Sequence, residues 1–287
     1  MASILAGKEP GRPVLRWHGG KWRLAPWIIG HFPAHRVYVE PFGGAASVLM
    51  RKPRAYGEVY NDLDHDVVNL FRVLQNPISA EALRMKLRLT PFARDEFELG
   101  YLDCADPIER ARRLVILCFM GFGSNGHNKA MRTGFRSASN RSGTTPAHDW
   151  ANYPDQLPAI VERLRGVVIE NRDALEVMAR HDGHDTLHYV DPPYVWETRA
   201  TGATNRIRRY LHEMDAEGHK RLLDFLLGLS GAVVVSGYPH ESYEAALVGW
   251  RRVEIDALAD GALDRVEVLW LNPRAVAAKS TAQGVLL

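Results

Sequence analysis

The hexapeptide Tyr189-Val190-Asp191-Pro192-Pro193-Tyr194 holds the densest set of chemically useful groups in the chain. The apolar run ahead of it reads as a strand. That strand delivers Asp191 at its carboxyl edge, where open α/β sheets bind ligands. Pro192 and Pro193 fix φ and supply no backbone N–H, which leaves their carbonyl oxygens as acceptors. Tyr194 adds an aromatic face beside that row. The set suits a planar ligand with an exocyclic amino group. Asp191 and the Pro192 carbonyl accept its two hydrogens, and Tyr194 stacks on its ring through the ring face.

A second group lies upstream, in VYVEPFGGAASVLM. A strand, a Gly-Gly turn and a helix start follow one another. Gly43 and Gly44 let the backbone turn tightly and approach a ligand, and a helix N-terminus favours polar or anionic groups. The run lacks the full G-x-G-x-x-G spacing. Asp62 ends the next strand, 19 residues after Gly43. Doubly wound folds place an acid about there to accept hydrogen bonds from ribose hydroxyls. The competing reading of Asp62 is a helix cap or a turn residue.

The charge is local. Net charge is +2, yet residues 121–148 hold Lys129, Arg132, Arg136 and Arg141 with no carboxylate, and residues 198–212 hold Arg199, Arg206, Arg208 and Arg209 with none either. The remainder of the chain therefore carries −6. Two basic, Gly/Ser/Asn-rich segments point to a polyanion, because clustered cations displace counterions from phosphates. The alternative is a pair of solvated loops.

Short apolar runs alternate with helical patterns and must position these groups. Candidate strands are Val37–Glu40, Glu58–Asn61, Val167–Glu170, Leu187–Val190 and Ala232–Ser236. Helical patterns fall at 44–51, 64–75, 173–181 and 214–229, with Asp64 as an N-cap and Pro77 past the end of the second. The alternation predicts an α/β fold with a doubly wound, mainly parallel sheet. Arg252–Ile255 and Val266–Leu271 read as a terminal hairpin, and the tail after Arg274 as frayed or loosely docked. Residues 78–165 break the rhythm with helical patterns at 79–89, 91–100, 107–120 and 155–165. They read as an inserted, mostly helical domain, leaving 1–77 and 166–287 as the sheet domain.

Composition excludes several classes. Apolar residues are 46% and charged residues 24%, which rules out collagen-like, coiled-coil and wholly disordered chains. No run approaches the ~20 apolar residues of a membrane span, and MASILAGKEPGRP lacks a signal-peptide core. Cys104 and Cys118 are too few for a disulfide framework or a four-ligand zinc site. The expectation is a cytoplasmic protein with no membrane association and no metal.

Four motifs, in order, resemble those of the Dam-like (alpha-class) DNA adenine-N6 methyltransferases, which use S-adenosyl-L-methionine. Arg16-Trp17-His18-Gly19-Gly20-Lys21 resembles the family's K-W-x-G-G-K, and Glu40-Pro41-Phe42-Gly43-Gly44-Ala45-Ala46-Ser47 its E-P-F-x-G-x-G-S. Tyr60-Asn61-Asp62-Leu63-Asp64 resembles its acidic ribose-binding segment, and Asp191 to Tyr194 its D-P-P-Y. The likeness runs from about residue 14 to 272. It implies a Rossmann-like methyltransferase fold, with 78–165 as the target-recognition domain, and double-stranded DNA as partner. It also implies Trp17, Lys21, Glu40, Pro41, Phe42, Gly43, Gly44, Asp62 and Asp191 as cofactor contacts. Asp173 matches more loosely an acid near the cofactor's adenine.

Departures from the family pattern shape the expectation. Ala46 stands where many members have a second glycine, which sets the loop slightly farther from the cofactor. Met120-Gly121-Phe122-Gly123-Ser124-Asn125-Gly126 keeps the G-x-N-G end of the family's N-R-x-G-x-N-G without its Asn-Arg pair, which argues against the target GATC. Asn125, Lys129, Arg132, Arg136, Arg141, Arg206, Arg208 and Arg209 are the expected DNA contacts. The biological settings implied are restriction-modification beside a cognate endonuclease, phage self-protection or epigenetic marking. Three other readings compete. A nicotinamide-dependent dehydrogenase shares the glycine turn and ribose acid but leaves Asp-Pro-Pro-Tyr and the basic segments unexplained. A cytosine-N4 methyltransferase faces the same exocyclic amine, and a non-catalytic nucleic-acid-binding module would use only the charge.

Overall fold

The computed structural model describes residues 9–123, 132–137, 143–198, 212–258 and 264–284. In chain order the first half contains α1 (Ala25–Ile29), β1 (Val37–Glu40), α2 (Ser47–Arg51), β2 (Gly57–Asn61), α3 (His65–Gln75), α4 (Pro77–Leu89), α5 (Arg94–Gly100) and α6 (Pro107–Met120). Then come α7 (Pro146–Ala151), α8 (Leu157–Leu164), β3 (Val167–Glu170), α9 (Ala174–His181), β4 (Thr186–Val190), α10 (Ala216–Leu227), β5 (Ala232–Gly237), α11 (Glu241–Ala246), β6 (Arg251–Leu258), β7 (Asp264–Leu271) and α12 (Pro273–Gly284). Among the described residues no helix is long and apolar enough to cross a membrane.

The seven strands form one sheet in the order β3-β2-β1-β4-β5-β7-β6. β1 pairs in parallel with both β2 and β4, and β4 with β5. β7 runs antiparallel between β5 and β6. This is the mainly parallel α/β sheet that the alternation predicts and the Rossmann-like fold that the family resemblance implies. β4 (TLHYV) and β5 (AVVVSG) are buried at every position, as strands covered on both faces must be. The chain steps outward from β1 to β2 and β3, then returns to place β4 on the other side of β1. The topological switch point therefore lies between β1 and β4, and ligands of open α/β sheets bind at the carboxyl end of such a switch.

The chain divides into two compact units. One takes in the chain up to Trp22, Gly44–Arg51 and Asp64–Ile169, and the other Arg23–Gly43, Lys52–Leu63 and the chain from Glu170. The first unit is helical and well capped. Asp64 accepts the Asp66 and Val67 N–H groups at the start of α3, Asn76 those of Ile78 and Ser79 at α4, and Asp106 those of Ile108 and Glu109 at α6. These caps satisfy N–H groups that have no partner within the helix. Pro77 thus opens α4 at its first turn while marking the end of α3.

Two expectations are corrected. The segment after Arg274 is not frayed from its start but continues α12, which opens at Pro273. Asn272 Oδ1 accepts the Ala275 N–H (2.8 Å) and the Val233 N–H (3.0 Å), Pro273 pre-sets the first turn, and Ala275 is fully buried. The helix expected over 44–51 begins only at Ser47, because Gly44 (φ +47°) and Ala46 (φ +53°) lie in the left-handed region. For alanine that conformation costs roughly 1–2 kcal/mol. The residue that replaces the family's second glycine therefore carries backbone strain. Ala46→Gly should raise stability by about 1 kcal/mol once the extra chain entropy of glycine is counted. Urea titration should show a higher midpoint at unchanged slope, and an unchanged or lower midpoint would contradict the strain.

Candidate active site

In the second unit, the loops after β1, β2 and β3 are tied together by Asn61. Its Nδ2 donates to the Pro41 carbonyl (2.9 Å) and the Arg172 carbonyl (3.0 Å), and its Oδ1 accepts the Arg172 N–H (2.9 Å). Its own carbonyl accepts the Gly43 N–H at 2.8 Å. A fully buried amide is tolerable because its groups are engaged this way. Gly43 has no alternative here: a Cβ on it would lie 2.2 Å from Tyr60 Cε2. Asp62 follows directly, half-buried, with its backbone carbonyl accepting from Asn171 Nδ2 at 2.7 Å. Asp64, not Asp62, caps α3, so the capping role that competes for Asp62 is already filled.

The remaining upstream residues take varied places. Glu40 is buried, and its Oε2 accepts the Tyr38 hydroxyl at 2.8 Å. Pro41 is buried, and Phe42 packs half-buried against the core around Val190, Val235 and Trp270. Asp173 is the exposed N-cap of α9, accepting the Leu175 and Glu176 N–H groups. In the first unit, Lys21 is buried and donates from Nζ to the Gly19 carbonyl at 2.8 Å, closing the turn that follows Trp17. The Trp17 indole packs on Gly44 so closely that a Cβ there would sit 2.7 Å from its Nε1.

Asp191 leaves the carboxyl end of β4 half-buried, and its Oδ1 accepts from Ser236 Oγ at 2.8 Å. Pro192 is buried and Pro193 half-buried beside it. Tyr194 is buried, its ring edge-on to Tyr238 with centroids 4.7 Å apart. Its hydroxyl donates to the carboxylate of Glu267, itself buried in β7. Burial pushes the Tyr194 phenol well above its ordinary pKa, so it stays a donor. The hydroxyl thus has a structural task that the stacking picture does not contain. Tyr194→Phe should cost about 1–3 kcal/mol of stability by withdrawing a donor from a buried carboxylate. Tyr194→Ala should lose more of the activity that the family resemblance implies, since it also removes the ring. Denaturation and turnover of both variants check this, and equal turnover losses would contradict it.

Of the expected nucleic-acid contacts, Arg132 and Arg136 are described; Asn125, Lys129, Arg141, Arg206, Arg208 and Arg209 lie outside the described residues. Residues 132–137 fold back on the end of α6. The Phe122 N–H donates to the Gly134 carbonyl (2.8 Å) and the Arg136 N–H to the Met120 carbonyl (2.7 Å). Phe135 anchors the segment against Phe92 and Phe97, at centroid distances of 5.2 and 5.8 Å. Arg132 is exposed with its guanidinium 4.8 Å from the centre of the Tyr101 ring, a contact that orients a cation without burying its charge.

Asn61, Ser236 and Glu267 were not singled out from the sequence. Each carries a signal all the same. Ser236 and Glu267 are polar residues inside apolar strand runs (AVVVSG and DRVEVLWL), where burial requires a partner, and Asn61 stands at the end of an apolar strand.

Comparison with known proteins shows which family the chain resembles. The profile of the D12 class N6 adenine-specific DNA methyltransferases matches residues 17–226. A DNA adenine methylase of Vibrio cholerae serotype O1 is 28% identical over 190 residues, covering 64% of this chain and 65% of the relative. Those of Haemophilus influenzae (26% over 211 residues, 69% and 70%) and Escherichia coli K12 (24% over 194 residues, 65% and 66%) are similar. The chain spans about two thirds of the length of these curated relatives. With its profile matched over most of its length, the chain belongs to the D12 class N6 adenine-specific DNA methyltransferase family.

Proposed function

We propose that this protein transfers the methyl group of S-adenosyl-L-methionine to the N6 amino group of an adenine flipped out of double-stranded DNA. The observation that carries the reading is the placement of two motifs on adjacent strands. Glu40 ends β1 with Pro41–Gly43 after it, and Asp191–Tyr194 follows β4, on the two sides of the switch point. The residues fit a nucleoside cofactor: Asp62 is a half-buried carboxylate on a backbone fixed by Asn61 and Asn171, the chemistry that accepts hydrogen bonds from ribose hydroxyls. When bound, S-adenosyl-L-methionine supplies an electrophilic methyl carbon on a sulfonium. Trp17, Lys21, Glu40, Pro41, Phe42 and Gly44 are the further cofactor contacts proposed from the family likeness.

The chain's own contribution is orientation and electrostatics. An adenine amino lone pair is delocalised into the ring and is a poor nucleophile. Asp191 and the Pro192 carbonyl accept the two amino hydrogens and draw the nitrogen towards tetrahedral geometry, so that its lone pair is available for in-line attack. The base must first leave the duplex, which costs a few kcal/mol. Stacking on Tyr194 returns about 1–3 kcal/mol. We assign target recognition to residues 78–165. Most of the basic residues there and in 198–212 hold phosphates, and Arg132 or Arg136 reaches a guanine edge, a contact that discriminates by about 1–3 kcal/mol.

Asp62→Ala should weaken S-adenosyl-L-methionine binding by roughly 10- to 100-fold, the loss of a charge-assisted hydrogen bond to ribose, with DNA affinity nearly unchanged. Calorimetry checks it, and an unaltered cofactor affinity would return Asp62 to the role of a turn residue. The function itself is tested by single-molecule sequencing of DNA from cells expressing the chain. Methylated adenines in one sequence context support the reading, and unmodified DNA contradicts it.

A further inference from the structure

β4 and β5 run in parallel with Tyr189 beside Val234 and Val190 beside Val235. The next residue on each, Asp191 and Ser236, therefore meet at the carboxyl edge. Ser236 Oγ lies 2.8 Å from Asp191 Oδ1 and 3.1 Å from the Tyr189 hydroxyl. An ionised carboxylate only accepts, so the single serine proton goes to Asp191 and the serine oxygen accepts from Tyr189. Burial pushes the Tyr189 phenol well above its ordinary range, so it keeps the proton it donates. Ser236 is wholly buried and Tyr189 nearly so. After Val233-Val234-Val235, packing alone calls for an apolar residue. A hydroxyl at this depth is tolerable only with partners, and its partners here lead from the sheet interior to the proposed acceptor.

We propose that Ser236 is a positioning residue for methyl transfer: it holds Oδ1 of Asp191, with Tyr189 orienting the serine hydroxyl, so that the carboxylate meets the target amino group in one orientation. Fixing one carboxylate oxygen fixes the plane of both, and a reacting group displaced by about 1 Å can lose about 100-fold in rate. The proposal rests on the methyltransferase reading of Asp191 and adds to it the group that aims that side chain.

The full-length chain is compared with Ser236→Ala, Ser236→Thr, Tyr189→Phe and the Ser236→Ala/Tyr189→Phe double variant. Single-turnover methyl transfer to duplex DNA, calorimetric affinity for S-adenosyl-L-methionine and thermal midpoint are measured on each. Ser236→Ala should transfer about 10- to 100-fold more slowly, with cofactor affinity and KM for DNA within about twofold of wild type. Ser236→Thr, which keeps the hydroxyl, should recover most of the rate. Tyr189→Phe should lose less than Ser236→Ala, and the double variant should be no slower than Ser236→Ala, because the tyrosine acts through the serine. A wild-type rate in Ser236→Ala, a loss explained by weakened cofactor binding or lost stability, a folded but unrescued Ser236→Thr, or multiplying losses in the double variant would each overturn the proposal. A wild-type chain that transfers no methyl would overturn the methyltransferase reading and the proposal together.

Discussion

Asp191→Ala should abolish measurable turnover, with a loss of at least about 10²–10³-fold in single-turnover rate, while the protein stays folded. The magnitude is that of removing one preorganised group at a reacting centre. In the proposed mechanism the substitution deletes the carboxylate that accepts an amino hydrogen and leaves the Pro192 carbonyl to act alone. The effect on folding should be small by comparison. Asp191 is half-buried at a strand end, so water can replace it as acceptor for the Ser236 hydroxyl. The cost should then stay within about 1.5–3 kcal/mol, the value of a hydrogen bond to a charged group. Rate and thermal midpoint separate the two effects. Near-normal turnover would remove Asp191 from the chemistry.

Gly43→Ala should be among the most damaging single-methyl additions in the chain. The new Cβ would meet Tyr60 Cε2 at 2.2 Å, Cδ2 at 2.5 Å and the Asn61 carbonyl oxygen at 3.0 Å. None of these neighbours yields easily. Tyr60 is fully buried, and the Asn61 carbonyl is fixed by the Gly43 N–H at 2.8 Å. Overpacking a rigid site costs typically 1–3 kcal/mol, and a contact with both a ring and a backbone puts this case at about 3 kcal/mol. Cofactor affinity should fall as well, because the turn and the strand end that carries Asp62 move together. Urea denaturation and calorimetry report the two losses. A variant with wild-type stability would show that the turn is looser than its contacts imply.

Much of the fold was legible because its signals are local. The runs VYVE, TLHYV and AVVVSG are too short and too apolar for anything but covered strands, VVIE forms a sheet edge with Val168 exposed, and the cap at Asp64 follows from residue type. Asp191 was legible because a carboxylate that ends an apolar strand before two prolines has few structural reasons to be there. The strained Ala46 was not, since φ depends on how the turn after β1 meets its surroundings and not on the alanine. Asp173 also has a local use that the sequence shows: D-A-L-E is a cap sequence, and the side chain caps α9. Ser236 was invisible as a partner of Asp191 because 45 residues separate them, and only the β4–β5 register brings them together. The same holds for Glu267 and Tyr194, which are 73 residues apart. The antiparallel β7, inserted between β5 and β6, supplies that carboxylate.

The most direct test of the central claim uses the purified chain, S-adenosyl-L-methionine and unmethylated duplex DNA of mixed sequence, followed by digestion to nucleosides and mass spectrometry. The predicted result is N6-methyladenine that accumulates with time and disappears with Asp191→Ala. N4-methylcytosine in its place would contradict the assignment of the base, and DNA bound but left unmodified would contradict the assignment of an enzyme.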